Sequence, residues 1–315
     1  MRHRSIPHLT SKPVPVLGVG GMPLSDPLPD GTVRSLEDSI AVLHHAFDLG
    51  MTLVDTADIY APSAQDFGHN ERVVGDAVRT WKGGRDALVV ITKIGITREV
   101  GDGEDVWGRD GSRDYLLRAA EASVGRIGFE PDVIIHHRVN REQQPYSDTV
   151  RALVAVREAG FAPAIGIGNV HLDECRTAWE YSHGTIAAVE NERSPRYRDD
   201  GDVLLWASVH GVAYFPWSPL GGGDDAKHLA DLYPAFAIVA AAQSEKAGRA
   251  VSAQQVALAW LMAAGPTVVP IPGFTRTSTA DASVGAADLE LSIDELDHLD
   301  ASPAGRGSVF PDTDD

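Results

Sequence analysis

Leu88-Val89-Val90-Ile91-Thr92-Lys93 is the stretch from which the rest of the chain can be read. Its β-branched residues favour a strand, and its lack of apolar–polar alternation means that both faces are buried. That is the condition of a parallel strand covered by helices. Helical spacing follows on either side, at Asn70–Thr80 and Asp114–Ile127. Working outward, further strands are expected at Val14–Gly20, Thr52–Asp55, Val133–His136, Ile165–Asn169, Ala187–Asn191, Val212–Trp217 and Val268–Ile271. Helices are expected at Leu36–Leu49, Ser147–Ala159, Leu172–Ser182 and Val203–His210. Eight short strands alternating with helices predict an α/β chain folded as a (β/α)8 TIM barrel. An open doubly wound sheet is the other arrangement with this pattern.

Ser252-Ala-Gln-Gln255 fits a capping box opening a helix to Ala264, read as lying outside the repeat, as does a late helix at Asp294–Leu299. Long loops are expected at Ala61–His69, Thr97–Ser112 and Gly221–Leu232, and a mobile tail after Ser302. No linker divides the sequence, so residues 1–315 read as a single domain.

The composition, 43% hydrophobic and 23% charged, supports a sizeable core. The net charge of −18, from 27 basic and 45 acidic side chains, disfavours nucleic acid and anionic membrane as partners. Residues 1–10 carry two arginines and two histidines but no apolar segment, and no signal peptide is read there. No apolar run of about 18 residues spans a membrane. The single cysteine, Cys175, excludes internal disulfides and Cys-based zinc sites and suits a reducing cytoplasm.

Several motifs fail. Gly18-Val-Gly20-Gly21-Met-Pro23 has proline where a dinucleotide fingerprint needs its third small residue. Phosphate-binding P-loop, Gly-x-Ser-x-Gly and His-Glu-x-x-His patterns are missing. His44-His45 lies in a helix and reads as surface and packing.

Chemistry gathers at the strand ends. Asp55 follows the second strand, with Tyr60 five residues on, Lys93 follows the third and His137 the fourth. In a barrel those ends converge on one face. A phenol is a poor acid at neutral pH unless helped; a nearby ammonium lowers its pKa, a carboxylate holds the ammonium charged, and an imidazole orients a carbonyl. Together they make a general-acid site for carbonyl reduction. Taken singly, each has a plain reading: packing for Tyr60, a structural ion pair for Asp55 and Lys93, a core histidine for His137.

The local sequence resembles the aldo-keto reductase family. Asp55-Thr56-Ala57-Asp58-Ile59-Tyr60 with Gly68-His69-Asn70-Glu71 resembles its second-strand signature, and Thr92-Lys93 its third-strand end. Asp132 through Asn140 resembles the fourth strand, with His137 at the histidine position and His136 beside it as packing. Gly166-Ile167-Gly168-Asn169, Phe215 through Gly221 and Ile271-Pro272-Gly273 resemble strands five, seven and eight. The match runs in order from about Val14 to Leu299.

The resemblance implies an NADP(H)-dependent oxidoreductase acting on an aldehyde, ketone or alcohol. Tyr60 would be the general acid, Lys93 and Asp55 would tune it, and His137 would position the carbonyl. NADPH would lie across the barrel mouth, with NADH less favoured and no metal needed. Gly20, Gly21, Met22, Asp55 and Gly273 would line the mouth, Asn169 would bond the carboxamide, and Trp217 would stack on the nicotinamide. Ser218, Leu220 and Gly221 would approach the pyrophosphate, and Arg276 would hold a 2′-phosphate.

Departures stand beside the match. Gly168 replaces the usual Ser, Thr275 a basic residue, Ala282-Ser283 a Glu-Asn pair, and Ala61 a Gly. Glu190 replaces the usual Gln; as a carboxylate it would accept from the carboxamide and place negative charge near the nicotinamide. Trp107 would wall a substrate pocket or anchor its loop, whereas Trp81 reads as helix-end packing. The style of the loops resembles microbial reductases of aldehydes, pyridoxal-like compounds or secondary metabolites. Two other readings remain: a cofactor-sensing regulatory subunit on the same barrel, which the departures at Glu190 and Ala282-Ser283 keep open, and a lyase or hydrolase using Lys93 through a Schiff base.

Overall fold

The computed structural model describes residues 1–28, 30–198 and 200–311 of the chain. Seven strands form one parallel sheet in the order β11 (Ala213–Trp217), β10 (Ile186–Glu192), β9 (Ala164–Gly168), β8 (Val133–His136), β5 (Val89–Ile94), β4 (Leu53–Asp55), β3 (Val19–Gly20). The eighth staves are residues 267–273. Gly18 and Gly20 donate to the carbonyls of Pro270 and Pro272, while Val269 and Ile271 donate to those of Tyr214 and Pro216, closing the ring. Pro270 and Pro272 have no N–H, which is why this segment pairs only through isolated bridges.

The expected first strand, Val14–Gly20, divides in two. Val14–Pro15 (β2) pairs antiparallel with His3–Arg4 (β1), and only Val19–Gly20 joins the barrel. Ile6, Leu9 and Val14 pack with the barrel interior and close its floor.

Helices surround the ring: α1 (Leu36–Asp48), α2 (His69–Thr80), α3 (Arg113–Ile127), α4 (Tyr146–Glu158), α5 (Leu172–Tyr181) and α6 (Gly201–His210). Ser35 caps α1 and Ser112 caps α3, each hydroxyl accepting from a backbone N–H three residues on. The β11 connection holds two short helices, α7 (Gly222–Lys227) and α8 (Leu229–Leu232), where a loop was expected, then α9 (Pro234–Ala247). The Ser252–Gln255 capping box opens α10 (Ala253–Ala263) as expected, but α10 belongs to the repeat because it leads into the eighth stave. After α11 (Thr277–Val284), α12 (Ile293–Asp300) is the late helix.

Two further expectations change. The loop 97–112 is largely a hairpin of β6 (Ile96–Val100) and β7 (Asp105–Arg109). The tail expected to be mobile is held as far as it is described: Arg198 donates to the carbonyls of Leu299, Asp300 and Ser302, Gly305 N donates to Arg196 O, and Arg196 Nε donates to Gly307 O. Residues 312–315 lie outside the described residues.

Side-chain parity sets the core. In β5, Val89 and Ile91 point into the barrel while Val90 and Ile94 pack against the helices. The same alternation puts Leu53, Val133, Ile135 and Phe215 inside, and Val54, Ile134 and Tyr214 outside.

Candidate active site

Continuing that alternation by two residues brings Asp55, Lys93, His137, Glu190 and Trp217 to the C-terminal rim of the barrel interior. His136 falls on the opposite parity, where its ring lies 6.1 Å from that of Tyr146 and against Gly95, in the packing role expected of it. Lys93 Nζ donates to both oxygens of Asp55, at 2.7 and 2.6 Å, and to Thr56 O at 3.0 Å. The two side chains are 2% and 4% exposed. Tyr60, half-buried, lies over this pair, with Lys93 Nζ 4.9 Å from its ring centre and the His137 ring edge-on at 5.8 Å. The four expected residues are therefore together.

Burial would push the Lys93 ammonium down, but Asp55, Glu190 and Tyr60 outweigh it and hold it charged. The expected lowering of the Tyr60 pKa is reversed: burial raises it, Asp55 and Glu190 add to that, and Lys93 only offsets part. The phenol is kept as a proton donor. Burial, then Lys93 and Arg138, holds His137 well below the usual imidazole range, so it is neutral. Among the described residues, its Nδ1 is buried without a hydrogen-bond partner.

Glu190 does more than the sequence indicated. Its Oε1 is 3.2 Å from Lys93 Nζ, its Oε2 is buried without a partner among the described residues, and its side chain is 3% exposed. Burial and the neighbouring Asp55 push its pKa up to about 8. The signal available in the sequence was parity: Glu190 lies two residues beyond the interior-facing Ala188.

At the adjoining strand ends, Asn169 Nδ2 donates to His137 O at 2.8 Å, and Asn169 Oδ1 accepts from Trp217 Nε1 at 3.1 Å. Asn169 and Ser218, the residues beside and after these groups, have left-handed φ values of 54° and 44°, a strained conformation for non-glycine residues that clusters at functional sites. Gly21 is pinned by Asn70, whose Nδ2 donates to Gly21 O; a Cβ there would meet Asn70 Oδ1 at 2.6 Å. Gly221 (φ 82°) caps α7 just beyond Ser218 and the half-buried Leu220. Met22 follows Gly21 in a short 3-10 turn, and Gly273 bridges Gly20. Arg276 is exposed and is the N-cap residue of α11. The half-buried indole face, with the unpartnered polar atoms of His137 and Glu190 nearby in the rim, fits a planar heterocycle carrying polar substituents. Arg276 and the hydroxyls of Thr277 and Ser278 at the start of α11 suit a phosphate.

Two features were not legible beforehand. Glu192 accepts from Ser308 Oγ and Val309 N, which seats Phe310 6.0 Å from the Trp217 ring; Arg138 donates to Phe310 O. Asn191, also buried, exchanges hydrogen bonds with the Val170 backbone and fixes the turn after Asn169. Trp107 lies on β7, 55% exposed, beneath the Arg98 guanidinium at 4.8 Å. Arg98 also donates to Ile59 O and Ala61 O, fastening the hairpin to the Tyr60 loop. The groove that Trp107 lines with Ser63, Gln65 and Val100 contains none of the four strand-end residues. Trp81 donates to Asp48 and packs on Phe47.

Comparison with known proteins shows the family of the chain. The sequence is 30% identical over 315 aligned positions to probable aldo-keto reductase 1 of Glycine max, covering 92% of this chain and 86% of that one. It is 29% identical to pyridoxine 4-dehydrogenase of Escherichia coli, covering 93% and 96%. The fold superposes with a TM-score of 0.73, at 24% identity and 95% coverage of both chains, on an aldo-keto reductase from Klebsiella pneumoniae in complex with NADPH. The model of the aldo/keto reductase family matches residues 16–303, and with Asp55, Tyr60, Lys93 and His137 assembled at the mouth of the barrel, the chain belongs to that family.

Proposed function

We propose that the protein is an NADP(H)-dependent carbonyl reductase or alcohol dehydrogenase, with Tyr60 as general acid in reduction. The observation that carries this reading is Tyr60 placed over a buried Lys93–Asp55 pair with neutral His137 at its edge. When bound, the nicotinamide supplies or accepts the hydride. Tyr60 gives its hydroxyl proton to the carbonyl oxygen of the substrate. The Lys93 ammonium stabilises the phenolate left behind, and Asp55 fixes that ammonium in place. His137, neutral and held at its backbone by Asn169, orients the carbonyl.

Trp217 offers its face to the nicotinamide and Asn169 its amide to the carboxamide. Ser218, Leu220 and Gly221 lie toward the pyrophosphate, and Arg276 toward a 2′-phosphate. The Klebsiella pneumoniae relative in complex with NADPH supports the choice of nucleotide. The test is a titration with NADPH and then NADH, followed by tryptophan fluorescence, and a carbonyl screen with the nucleotide that binds. Quenching by NADPH that is lost in Trp217→Leu supports the reading. No binding of either nucleotide at about 100 μM, where micromolar affinity would show, overturns it.

A further inference from the structure

An ammonium has three N–H donors. Those of Lys93 are directed to Asp55 Oδ1, Asp55 Oδ2 and Thr56 O. Glu190 Oε1 stands 3.2 Å from that charge, beside donors directed elsewhere, and among the described residues its other oxygen is buried without a partner. A carboxylate so placed is costly, because burial removes its water and only an ammonium already paired with Asp55 stands in its place. Asp55, paired with the same ammonium, adds its repulsion to the effect of burial, and a proton between the two carboxyls would relieve it.

We propose that Glu190 is a positioning residue held as the neutral acid, sharing its proton with Asp55 above Lys93, and that release of this proton shifts the site's preference from the reduced to the oxidised nicotinamide. This rests on the nucleotide reading given above. The reason is charge. The oxidised nicotinamide ring is a cation and the reduced ring is neutral. Lys93 and Asp55 cancel, so the rim is neutral while Glu190 keeps its proton and carries one negative charge once it is lost. That charge attracts the oxidised ring alone. The usual glutamine has no proton to lose and would give no such dependence.

Of the other groups facing Glu190, Tyr60 and Lys93 are shifted upward and His137 well downward. The flanking strands place Gly168 and Phe215 in register with Glu190 and bring no charge. Asp58, beyond β4, lies near Glu71 and Arg126, and burial raises its pKa well above the ordinary value. Glu192, two residues along β10, is engaged by Ser308 and Val309, and burial moves its pKa up from the ordinary carboxylate value. As the nearest such group on the same strand, it is separated by mutation.

The experiment measures the dissociation constants of NADPH and NADP+ from pH 6 to 9.5 in the wild type, Glu190→Gln and Glu192→Gln. The 2′-phosphate titrates in both nucleotides and cancels in their ratio. In the wild type, preference for NADP+ over NADPH should grow about tenfold as pH rises through the range, the scale of one partly screened charge pair. It should stay flat in Glu190→Gln and persist in Glu192→Gln. Infrared difference spectra of Glu190→Gln against the wild type, without nucleotide, provide a second readout: protonated-carboxyl intensity at pH 7 should be lower in Glu190→Gln, the contribution of Asp58 being common to both and cancelling. A flat wild-type ratio, an unchanged slope in Glu190→Gln, or protonated-carboxyl intensity undiminished by that substitution overturns the proposal while leaving the nucleotide reading intact. Failure of both nucleotides to bind at any pH overturns the two together.

Discussion

Lys93 donates to both carboxylate oxygens of Asp55 in a site from which water is almost wholly excluded. Burying one charge without the other would cost several kcal/mol, so the pair behaves as a unit. Glu190 beside it supplies a second potential anion. Asp55→Asn alone should therefore be partly compensated by ionisation of Glu190 and cost about 1–2 kcal/mol, whereas Asp55→Asn with Glu190→Gln strands the ammonium and should cost about 3–5 kcal/mol. Urea denaturation of the two single variants and the double variant at pH 7 measures this; additive losses would refute the compensation.

Tyr60→Phe removes the proposed proton donor and leaves the groups proposed to hold the nucleotide in place. Carbonyl reduction should fall by at least about 100-fold with NADPH affinity unchanged. Because burial raises the Tyr60 pKa, the wild-type rate should show no break from phenol ionisation up to about pH 10, the ordinary phenol value. Steady-state rates and fluorescence titration together decide it, and surviving activity in Tyr60→Phe would place the proton donor elsewhere.

Trp217→Leu should weaken NADPH binding by about tenfold through the loss of ring stacking, and should abolish the quench. It also frees Asn169 Oδ1 from its indole donor. Trp217→Phe keeps a ring but not that donor, so its affinity should lie between the two; equal affinity in all three proteins would show that the indole is packing only.

Asp58 is buried with neither carboxyl oxygen partnered among the described residues, and burial, reinforced by Glu71, raises its pKa well above the ordinary value. The folded protein thus keeps a proton that the unfolded chain releases, and its stability falls as pH rises above the ordinary carboxylate range. Asp58→Asn removes this term. Its melting temperature should exceed that of the wild type by a margin that widens from pH 5 to pH 8, as scanning calorimetry would register; a margin constant with pH would contradict it.

Glu192 anchors the described end of the tail through Ser308 and Val309. Glu192→Ala removes hydrogen bonds to a carboxylate worth about 1.5–3 kcal/mol each, so the released tail should be cut at least about tenfold faster by protease within 303–311. Mass spectrometry of the digests locates the cuts, and an unchanged rate would mean that the Arg196 and Arg198 contacts alone suffice to hold it.

Strand and helix positions were readable because burial on both faces leaves a local mark: Leu88–Thr92 and Val133–His136 could not lie in an exposed loop. The hairpin 96–109 was not readable, since its exposed strands carry charged and glycine residues that read as loop. The first strand was read too long because Val14-Pro15 and Val19-Gly20 are both apolar, and nothing local tells the floor from the stave. Helix α9 was missed: its alanine-rich sequence has apolar residues all round and no clear stripe.

The sequence by itself determined the repeat, the strand ends bearing Asp55, Lys93 and His137, the place of Tyr60 and the identity of the altered residue Glu190, because each follows from spacing along one segment. Only the tertiary structure decided which of these groups touch. Closing the ring through Pro270 and Pro272 joins strands far apart in sequence and fixes their stagger. That stagger sets Glu190 against Lys93, joins Asn169 to Trp217, and lets residues 302–311 reach Glu192. Those contacts depend on distances across the barrel, and the burial they create sets the direction in which Tyr60 and Glu190 are shifted.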